Sequence, residues 1–370
     1  MLGTTFVGLD IHRKTIVATA LNEQGEELDQ RTLGPSKEEL GAYLRNLPGE
    51  KRVTMEACAM WEAYFDVVEE AGATAVLSNP LRTRLIAEAT IKTDKVDSEA
   101  LANLLRLDAL PTAYAPPPEM RRVRHLVRDR VIYRRHIRAL MNHTYGQLIY
   151  RGIPYRESSL SRFRGRNEVR KLGIPGANRA LDSIEYLLER CKELDQEIHT
   201  FFLTSREAQL LESVPGIGEL GAVTLAAFLC PIERFPTIDR LSSYAGLAPT
   251  THQSGDQSYQ GRLKKDCNHL VQTLLVELSW THRRFEKRGG VARIANRVSR
   301  RRGRSKGNIA GAHKLLKIVY AILKRGTPFT SDAPERPAAV PRLQDSRVAA
   351  TRCVRGIALE STAANRLLAH

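Results

Sequence analysis

The order of extended and helical patterns in the first 110 residues constrains the fold more than any other feature of the sequence. Three successive segments, at 6–12, 15–22 and 26–33, have the apolar and β-branched residues of strands. Two further strands, predicted at 51–57 and 74–79, alternate with segments of helical periodicity. Three early strands followed by strand–helix alternation indicate an α/β domain with a mixed sheet.

Helical signals separate and follow the later strands. Ser36 is the predicted N-cap of a helix at 36–47, and Glu39 stands three residues later, where it would complete a capping box. The other helices of this part are predicted at 61–71, 80–89 and 96–107. A proline-rich break, "PTAYAPPPE" at 111–119, follows them.

The chain beyond this break is predicted to be mostly helical. Long helices are expected at 119–150 and 177–203, the second with apolar residues at coiled-coil-like spacing. The basic segment 162–171 between them predicts a loop, and a glycine- and serine-containing segment at 246–265 interrupts the later helices. We divide the chain into an α/β domain, a basic helical connection, a C-terminal helical domain and a poorly ordered tail, at 1–110, 111–204, 205–326 and 327–370.

The charge is unevenly distributed along the chain. The formal net charge is +16, yet the first 100 residues hold 11 Lys and Arg against 17 Asp and Glu, which leaves +22 on the other 270. An acidic first part joined to a strongly basic remainder suggests a cation as partner of the former and a polyanion as partner of the latter.

Several classes of protein are excluded by composition. No run of 18 apolar residues is present, which argues against a membrane span, and the first residues do not resemble a secretory signal. The cysteines are scattered and never form a C-x-x-C pair, so neither a disulfide framework nor a structural zinc site is expected, and a reducing compartment fits. The five cysteines are Cys58, Cys191, Cys230, Cys267 and Cys353.

Four carboxylates stand at unusual positions of the α/β part. Asp10 interrupts the apolar strand "FVGLDIH", and Glu56 lies near the end of the fourth strand. Strand interiors disfavour such residues, so a carboxylate there is exposed at a sheet end, paired, or bound to a metal. Asp94 and Asp97 enter the next helix three residues apart, and they share a helix face.

Two interpretations of Asp94 and Asp97 are open. Asp94 can be an ordinary N-cap, with Asp97 in the first turn, where the helix dipole favours an anion. Alternatively, both aspartates converge with Asp10 and Glu56 at one sheet edge and hold divalent cations, for which Mg²⁺ or Mn²⁺ suits hard oxygen ligands. Two such ions about 4 Å apart clamp both sides of a phosphodiester under attack.

Four segments carry motifs in a specific order and spacing. They are "GLDIHRKTIVATAL", "VTMEACAMWEAYF", "NPLRTRLIAEATIKTDKVDSEALANLL" and "YAGLAPTTHQSGDQSYQGRLKK". Together they resemble the DEDD-type transposases of bacterial insertion sequences, the one-ten family, over about residues 4–285. The resemblance implies a RuvC-like N-terminal domain of RNase H fold, a coiled-coil connection and a C-terminal transposase domain.

The resemblance also implies an activity and its partners. Members are recombinases that cut and rejoin target and donor double-stranded DNA, guided by a bridge RNA from the element's non-coding end. They work as multimers, here a dimer to tetramer, in which one protomer's acidic domain meets another's serine domain. A bacterial cytoplasmic protein, nucleoid-associated when active, without a membrane partner, is expected.

The family's site residues carry over to specific positions. The four acidic residues match Asp10, Glu56, Asp94 and Asp97, which are then catalytic and hold Mg²⁺, with Mn²⁺ as the alternative. The nucleophilic serine matches Ser254 in "HQSGD"; from the sequence alone this Ser-Gly is an ordinary turn, and Ser258 is the alternative nucleophile. Residues that could stabilise phosphorane charge follow at Arg262, Lys264 and Lys265. The family usually has Gly where Cys267 stands.

Basic and glycine-containing segments indicate nucleic-acid surfaces. The segment 121–138 has eight arginines and one acid, and 283–306 has eleven Lys and Arg against one Glu. Such clusters bind phosphate backbones with little sequence preference. The segment 211–229 resembles a helix–hairpin–helix, or simply a well-packed helical turn. The predicted contacts are Arg121, Arg122, Arg124, Arg128, Arg134, Arg135, Arg138, Gly216, Gly218, Arg262, Lys264 and Lys265.

Three functions are compatible with the sequence. The first is a bridge-RNA-guided DNA recombinase with a serine nucleophile. The second is a metal-dependent nuclease or junction resolvase that uses the same carboxylates with water as the nucleophile. The third is a nucleic-acid-binding protein without catalysis. A covalent protein–DNA adduct separates the first from the second, and metal-dependent strand cleavage separates both from the third.

Overall fold

The computed structural model describes residues 3–86, 94–254 and 257–331, without the side chains of 250–260. Two compact units divide the chain at Met1–Pro117 and Pro118–His370. In the described part, no helix is both long and apolar enough to cross a membrane. Of the predicted tail, residues 332–370 lie outside the described residues.

The first unit is built on a five-stranded mixed sheet, as predicted, with the strand order β3-β2-β1-β4-β5. Strands β1, β2 and β3 are antiparallel neighbours, whereas β4 and β5 run parallel to β1. In chain order the elements are β1 Thr4–Ile11, β2 Ile16–Leu21, β3 Glu27–Leu33, α1 Lys37–Asn46, β4 Glu50–Glu56, α2 Trp61–Glu70, β5 Thr74–Ser78, α3 Pro80–Ile86 and α4 Asp94–Arg106.

Helices cover both faces of this sheet because β1 is apolar on both sides. Val7 and Leu9 point to one face and are fully buried in a core that includes residues of α1 and α2. Phe6, on the opposite face, packs with Leu101 and Leu105 of α4. Asp10, four residues after Phe6, therefore belongs to the α4 face, since side chains alternate along a strand.

Helix α4 approaches β1 very closely at Gly8. A methyl group at position 8 would lie 2.0 Å from the carbonyl oxygen of Ser98 and 2.6 Å from the amide nitrogen of Ala102. The Ser98 hydroxyl also forms a buried 2.7 Å hydrogen bond with the hydroxyl of Thr19 in β2. Glycine at position 8 and this bond fix α4 on the sheet.

The predicted capping of α1 is confirmed at Ser36 and differs at Glu39. The Ser36 hydroxyl accepts a hydrogen bond from the backbone N–H of Glu39 at 3.2 Å. The Glu39 carboxylate accepts from the backbone N–H of Gly34 at 3.0 Å, two residues before the partner that a capping box would use.

The second unit is mostly helical, as predicted. It contains two strands, β6 Pro249–Ser254 and β7 Gln257–Leu263, which form an antiparallel hairpin within the segment predicted to interrupt the helices. Its helices are α5 Pro118–Ile149, α6 Phe163–Arg170, α7 Pro175–Thr204, α8 Arg206–Glu212, α9 Glu219–Leu229, α10 Ile238–Tyr244, α11 His269–Phe285, α12 Gly290–Arg302 and α13 Arg304–Arg325.

The two long predicted helices, α5 and α7, pack against each other as an antiparallel pair. Arg122 near the start of α5 bonds Glu197 near the end of α7 at 2.6 Å. At the other end, a methyl group on Gly176 of α7 would lie 3.4 Å from the side-chain oxygen of Gln147 in α5. Leu181 of α7 is fully buried in their shared core.

The prediction of a loop at 162–171 is wrong, because residues Phe163–Arg170 form helix α6. Arg166 is buried, bonds Glu185 of α7 at 2.6 Å and donates to the carbonyl of Leu160 at 3.1 Å. Charges that indicate a solvated loop in the sequence are thus paired with acids of a neighbouring helix.

We predict that Gly8→Ala destabilises the first unit by about 1–3 kcal/mol, the cost expected when extra atoms are forced into a packed site. The added methyl group meets backbone atoms of α4, which cannot rotate away. Urea unfolding followed by circular dichroism measures the change.

The control is Gly146→Ala in α5, where an added methyl group has no neighbour within 4 Å. Alanine is the better helix former, so this variant should gain about 0.5–1 kcal/mol. Equal stability of Gly8→Ala and the unmodified protein would contradict the close packing of α4 on β1.

Candidate active site and nucleic-acid surfaces

Two of the four predicted carboxylates meet where β1 ends and α4 begins. Asp10 is the penultimate residue of β1, and Asp94 is the first residue of α4. His12 lies between them, with its Nε2 atom 3.0 Å from Asp10 Oδ2 and 3.5 Å from Asp94 Oδ1. One ligand atom from each of these three residues falls within 4.8 Å of the others, so they could hold a metal ion together.

The pKa of Asp10 is raised in this arrangement. Burial raises the pKa of its carboxyl group, because a charged carboxylate is poorly solvated there. The charge and hydrogen bond of His12 lower the pKa, and the negative charges of Asp94 and Asp97 raise it again. A divalent cation would offset both the cost of burying the Asp10 carboxylate and its repulsion by the neighbouring carboxylates, since it supplies positive charge.

Asp97 follows Asp94 by one turn of α4 and acts on Asp10 through its charge. Asp94 is itself the first helical residue, one position later than an N-cap residue stands. Both aspartates lie in the first turn, where the helix dipole stabilises negative charge. The close packing of α4 at Gly8 therefore brings its acidic end to the end of β1.

Glu56 is the last residue of β4, the parallel neighbour of β1. The register pairs Leu9 with Met55, so Asp10 and Glu56 are each one residue beyond that pair. Both side chains belong to the sheet face that α4 covers. The sheet thus places Glu56 beside the cluster, one strand away from Asp10.

His12 was not among the site residues predicted from the sequence. The spacing Asp-x-His at the end of a strand was the available signal, because side chains two residues apart point to the same side. With His12, the candidate site offers an imidazole nitrogen as well as carboxylate oxygens as possible metal ligands. Carboxylates suit Mg²⁺ or Mn²⁺, whereas imidazole is a ligand typical of Zn²⁺, Cu²⁺, Fe²⁺ or Ni²⁺.

The predicted serine belongs to the hairpin of the second unit. Ser254 ends β6 and pairs with Gln257, the first residue of β7, while Ser258 pairs with Gln253. The two predicted nucleophiles therefore lie on opposite strands of the hairpin, and their side chains are outside the described part.

Three predicted cations follow at the base of this hairpin. Arg262, Lys264 and Lys265 are exposed, and Lys264 Nζ donates to the Ser243 hydroxyl at 3.2 Å. Cys267, the departure from the family pattern, packs against Gly246, where a methyl group would lie 2.4 Å from its sulfur. Gly246 has a φ of +65°, so the turn before the hairpin needs glycine.

The arginines of 121–138 lie on α5, and several serve the internal packing. Arg124 is buried, donates from Nε to the carbonyl of Ala227 at 2.7 Å, and lies 5.0 Å from the ring centroid of Phe228. It satisfies a carbonyl in the last turn of α9. Arg121 is also buried, and burial of these two residues does not favour the phosphate contacts predicted for them.

Acids of α7 partner other arginines of α5. Arg122 bonds Glu197 at 2.6 Å, and Arg130 bonds Asp195. The sequence suggested an arginine face without acidic partners, but the partners come from a helix more than 50 residues later in the chain. The exposed predicted contact residues on this helix are Arg122, which is bonded to Glu197, and Arg128, Arg134, Arg135 and Arg138.

The helix–hairpin–helix pattern corresponds to α8, a tight turn and α9. Gly216 has a φ of +90°, and a methyl group there would lie 2.7 Å from the backbone nitrogen of His282 in α11. His282 Nδ1 is 2.8 Å from the carbonyl oxygen of Pro215. Packing against α11 thus explains Gly216, whereas Gly218 caps α9 with open space around it.

We predict that Asp10→Asn stabilises the metal-free protein at pH 7. The folded state holds the Asp10 proton more tightly than the unfolded chain does, so Asp10 reduces the free energy of unfolding as pH rises through the interval between its ordinary and raised pKa. The neutral amide avoids this loss. Thermal unfolding in a chelator at several pH values measures it.

The difference between Asp10→Asn and the unmodified protein should vanish in acid, below both pKa values. The control is Glu99→Gln, which removes an exposed carboxylate of α4 and should leave the melting temperature unchanged. A lower melting temperature for Asp10→Asn than for the unmodified protein at pH 7 would show that the Asp10 charge does not destabilise the folded state.

Comparison with known proteins gives two family matches in succession along the chain. A profile of IS110-type DEDD transposases, described as Transposase, matches residues 7–148. A profile described as Transposase IS116/IS110/IS902 family matches residues 208–294. The first match contains all four predicted carboxylates, and the second contains Ser254.

Individual relatives align over most of the chain. The transposase for insertion sequence element IS1111A of Coxiella burnetii is 23% identical over 88% of this chain and 92% of its own length. The transposase for IS1328 of Yersinia enterocolitica is 24% identical over 89% of this chain and 100% of its own length. A pilin gene-inverting protein of Moraxella lacunata is 28% identical over 40% of this chain and 48% of its own length. The chain belongs to the IS110/IS116/IS902 family of insertion-sequence transposases.

Proposed function

We propose that this chain is a bridge-RNA-guided DNA recombinase that cuts and rejoins DNA with metal-bound carboxylates and a serine nucleophile. The observation that supports the chemistry best is the cluster of Asp10, His12 and Asp94 at the end of β1. The sheet order and the acidic end of α4 beside the central strand support our assignment of the first unit to the RuvC-like domains of RNase H fold.

The residues present fit a divalent cation. Asp10, Glu56, Asp94 and Asp97 would hold it, since they supply hard oxygen donors, and burial makes an unneutralised Asp10 costly. When bound, Mg²⁺ or Mn²⁺ would polarise the phosphodiester and neutralise developing charge. The protein fixes these donors through the strand ends and through the Ser98–Thr19 hydrogen bond that anchors α4.

His12 is proposed as a positioning residue for the carboxylates. Its imidazole bridges Asp10 and Asp94, which lie on elements about 80 residues apart in the chain. Without a cation, this contact holds the two carboxylates near each other despite their repulsion. The site is then preorganised, so fewer rearrangements are needed when the DNA arrives.

The proposed covalent step uses Ser254. Its hydroxyl loses a proton as the oxygen attacks the phosphorus, the new Ser–O–P bond forms, and the DNA 3′-oxygen leaves and takes up a proton. A 3′-hydroxyl of another strand later attacks the phosphoserine and frees Ser254, so one phosphodiester is exchanged for another. Arg262, Lys264 and Lys265 would stabilise the charge on the phosphorane.

The partners follow from the same proposal. Target and donor double-stranded DNA contact the second unit, whose exposed arginines bind phosphates without reading sequence. A bridge RNA would supply the sequence specificity by base pairing, as other RNA guides do. The proposed assembly is a dimer to tetramer in which acidic and serine domains of different protomers act together.

We predict that Asp10→Ala, Glu56→Ala, Asp94→Ala and Asp97→Ala each abolish Mg²⁺-dependent recombination. Each change removes an oxygen donor and alters the geometry of the site. DNA and RNA binding should remain within about 2-fold, because phosphate affinity comes mainly from the basic residues. Recombination and gel-shift assays measure both. Recombination by Asp10→Ala in Mg²⁺ at the level of the unmodified protein would contradict the metal-site proposal.

We predict that Ser254→Ala forms no covalent protein–DNA adduct, because a methyl group cannot attack phosphorus. The assay is a denaturing gel of a labelled suicide substrate with the unmodified protein, Ser254→Ala and Ser258→Ala. Ser258→Ala is the matched control and should retain the adduct.

Two outcomes would contradict the assignment of Ser254. An adduct that persists in Ser254→Ala but disappears in Ser258→Ala would move the nucleophile to the other strand of the hairpin. Mg²⁺-dependent cleavage without an adduct in the unmodified protein would indicate a nuclease that uses water.

A further inference from the structure

Helix α12 presents a continuous arginine face to solvent. Arg297, Arg300 and Arg301 are exposed, and together with Arg293 and Asn296 they line an open cleft of about 410 Å³. These positions follow the spacing of one helix face. The lining residues are four arginines and one asparagine, whose guanidinium and amide groups suit an anion.

The opposite face of α12 is held rigidly against α13. Val291, Ala292 and Ala295 are buried there. Two glycines of α13 permit the close approach: a methyl group on Gly307 would lie 1.9 Å from the Ser299 hydroxyl oxygen, and one on Gly311 would lie 3.2 Å from Ala295 Cβ. Because small residues fill this contact, the long arginine side chains must point outward.

The sequence around α12 is strongly basic, and Glu286, the acid nearest to the helix in the sequence, accepts a hydrogen bond from the Ser331 hydroxyl at 3.2 Å. Between positions 287 and 331 the chain has thirteen Lys and Arg and no Asp or Glu. Within the described part of the chain, α5 contrasts with this, since its Arg122 and Arg130 are bonded to acids of α7. This excess of positive charge favours a polyanion as the partner of the α12 face.

We propose that the outward face of α12 binds the phosphate backbone of double-stranded DNA. The identification of DNA rests on the proposed function, and the need for a polyanion rests on the charges alone. The outward face has no aromatic side chain, so stacking on single-stranded bases is not supported. A helix of 13 residues is about 20 Å long, enough to contact several phosphates along a duplex.

The test is a triple variant of the full chain, Arg297→Gln, Arg300→Gln and Arg301→Gln, with a labelled DNA duplex of arbitrary sequence. Fluorescence anisotropy at several salt concentrations gives the slope of log affinity against log salt. If the three arginines contact phosphates, the slope should become shallower by about 2–3, since each phosphate contact contributes about 0.9. At low salt, affinity should fall at least about 10-fold.

The control is Arg164→Gln, Arg170→Gln and Arg190→Gln, which changes the net charge equally. These arginines are paired with Glu168, Asp182 and Glu193 on α6 and α7, so their loss should alter the slope by less than about 1. Melting temperatures verify that both variants fold. An equal effect of both triple variants would overturn the interface and indicate a response to overall charge.

Two further arms separate this proposal from others. If the α12 triple variant binds a structured RNA more weakly but binds DNA as the unmodified protein does, the choice of DNA is overturned and the face is assigned to RNA. Asp10→Ala should bind DNA with the unmodified salt slope, so loss of cleavage and loss of the α12 interface give different results. An unchanged DNA slope in the α12 variant overturns the proposal even if cleavage is normal.

Discussion

The contact between α4 and β1 at Gly8 is the constraint on which the candidate active site depends. Only a residue without a side chain allows the backbone of α4 so near the central strand. The buried Ser98–Thr19 hydrogen bond then fixes the rotation of α4, and its first turn arrives over the end of β1. Asp94 and Asp97 therefore face Asp10, although the sequence separates them by more than 80 residues. The site is a consequence of helix–sheet packing.

That packing concentrates negative charge where solvation is poor. Burial and neighbouring carboxylates both disfavour ionised Asp10, and His12 offsets only part of this cost. A protein selected for stability alone would replace one of these acids, since a partly buried carboxylate close to other carboxylates is unfavourable. Their joint presence is understandable if a cation completes the site during function. The same reasoning explains why α4 must be anchored: mutual repulsion would otherwise push its acidic end from the sheet.

The sequence predicted the elements better than their partners. Strand and helix periodicity located the five strands of the sheet and both long helices, because these patterns depend on which face is buried. It failed at 162–171, where Arg166 is paired with Glu185 of α7. It overestimated the free charge of 121–138 for the same reason, since Asp195 and Glu197 belong to another helix. His12 was missed because its role depends on the placement of α4. The identity of Ser254 as a candidate nucleophile came from family resemblance, as no physical signal distinguishes it from a turn serine.

The two units of the chain differ in charge. Residues 1–117 hold 12 Lys and Arg against 18 Asp and Glu, so the unit with the candidate metal site carries −6 and the rest of the chain carries +22. Alone, the first unit would be repelled by DNA phosphates, and a bound divalent cation would reverse that repulsion only locally, within about a Debye length of 8–10 Å at physiological salt. In the proposed recombinase, the basic residues of the second unit supply the affinity for DNA that the first unit lacks. We expect cleavage to depend on prior DNA binding by these basic residues, because a phosphodiester that they do not hold has no electrostatic reason to approach the carboxylates.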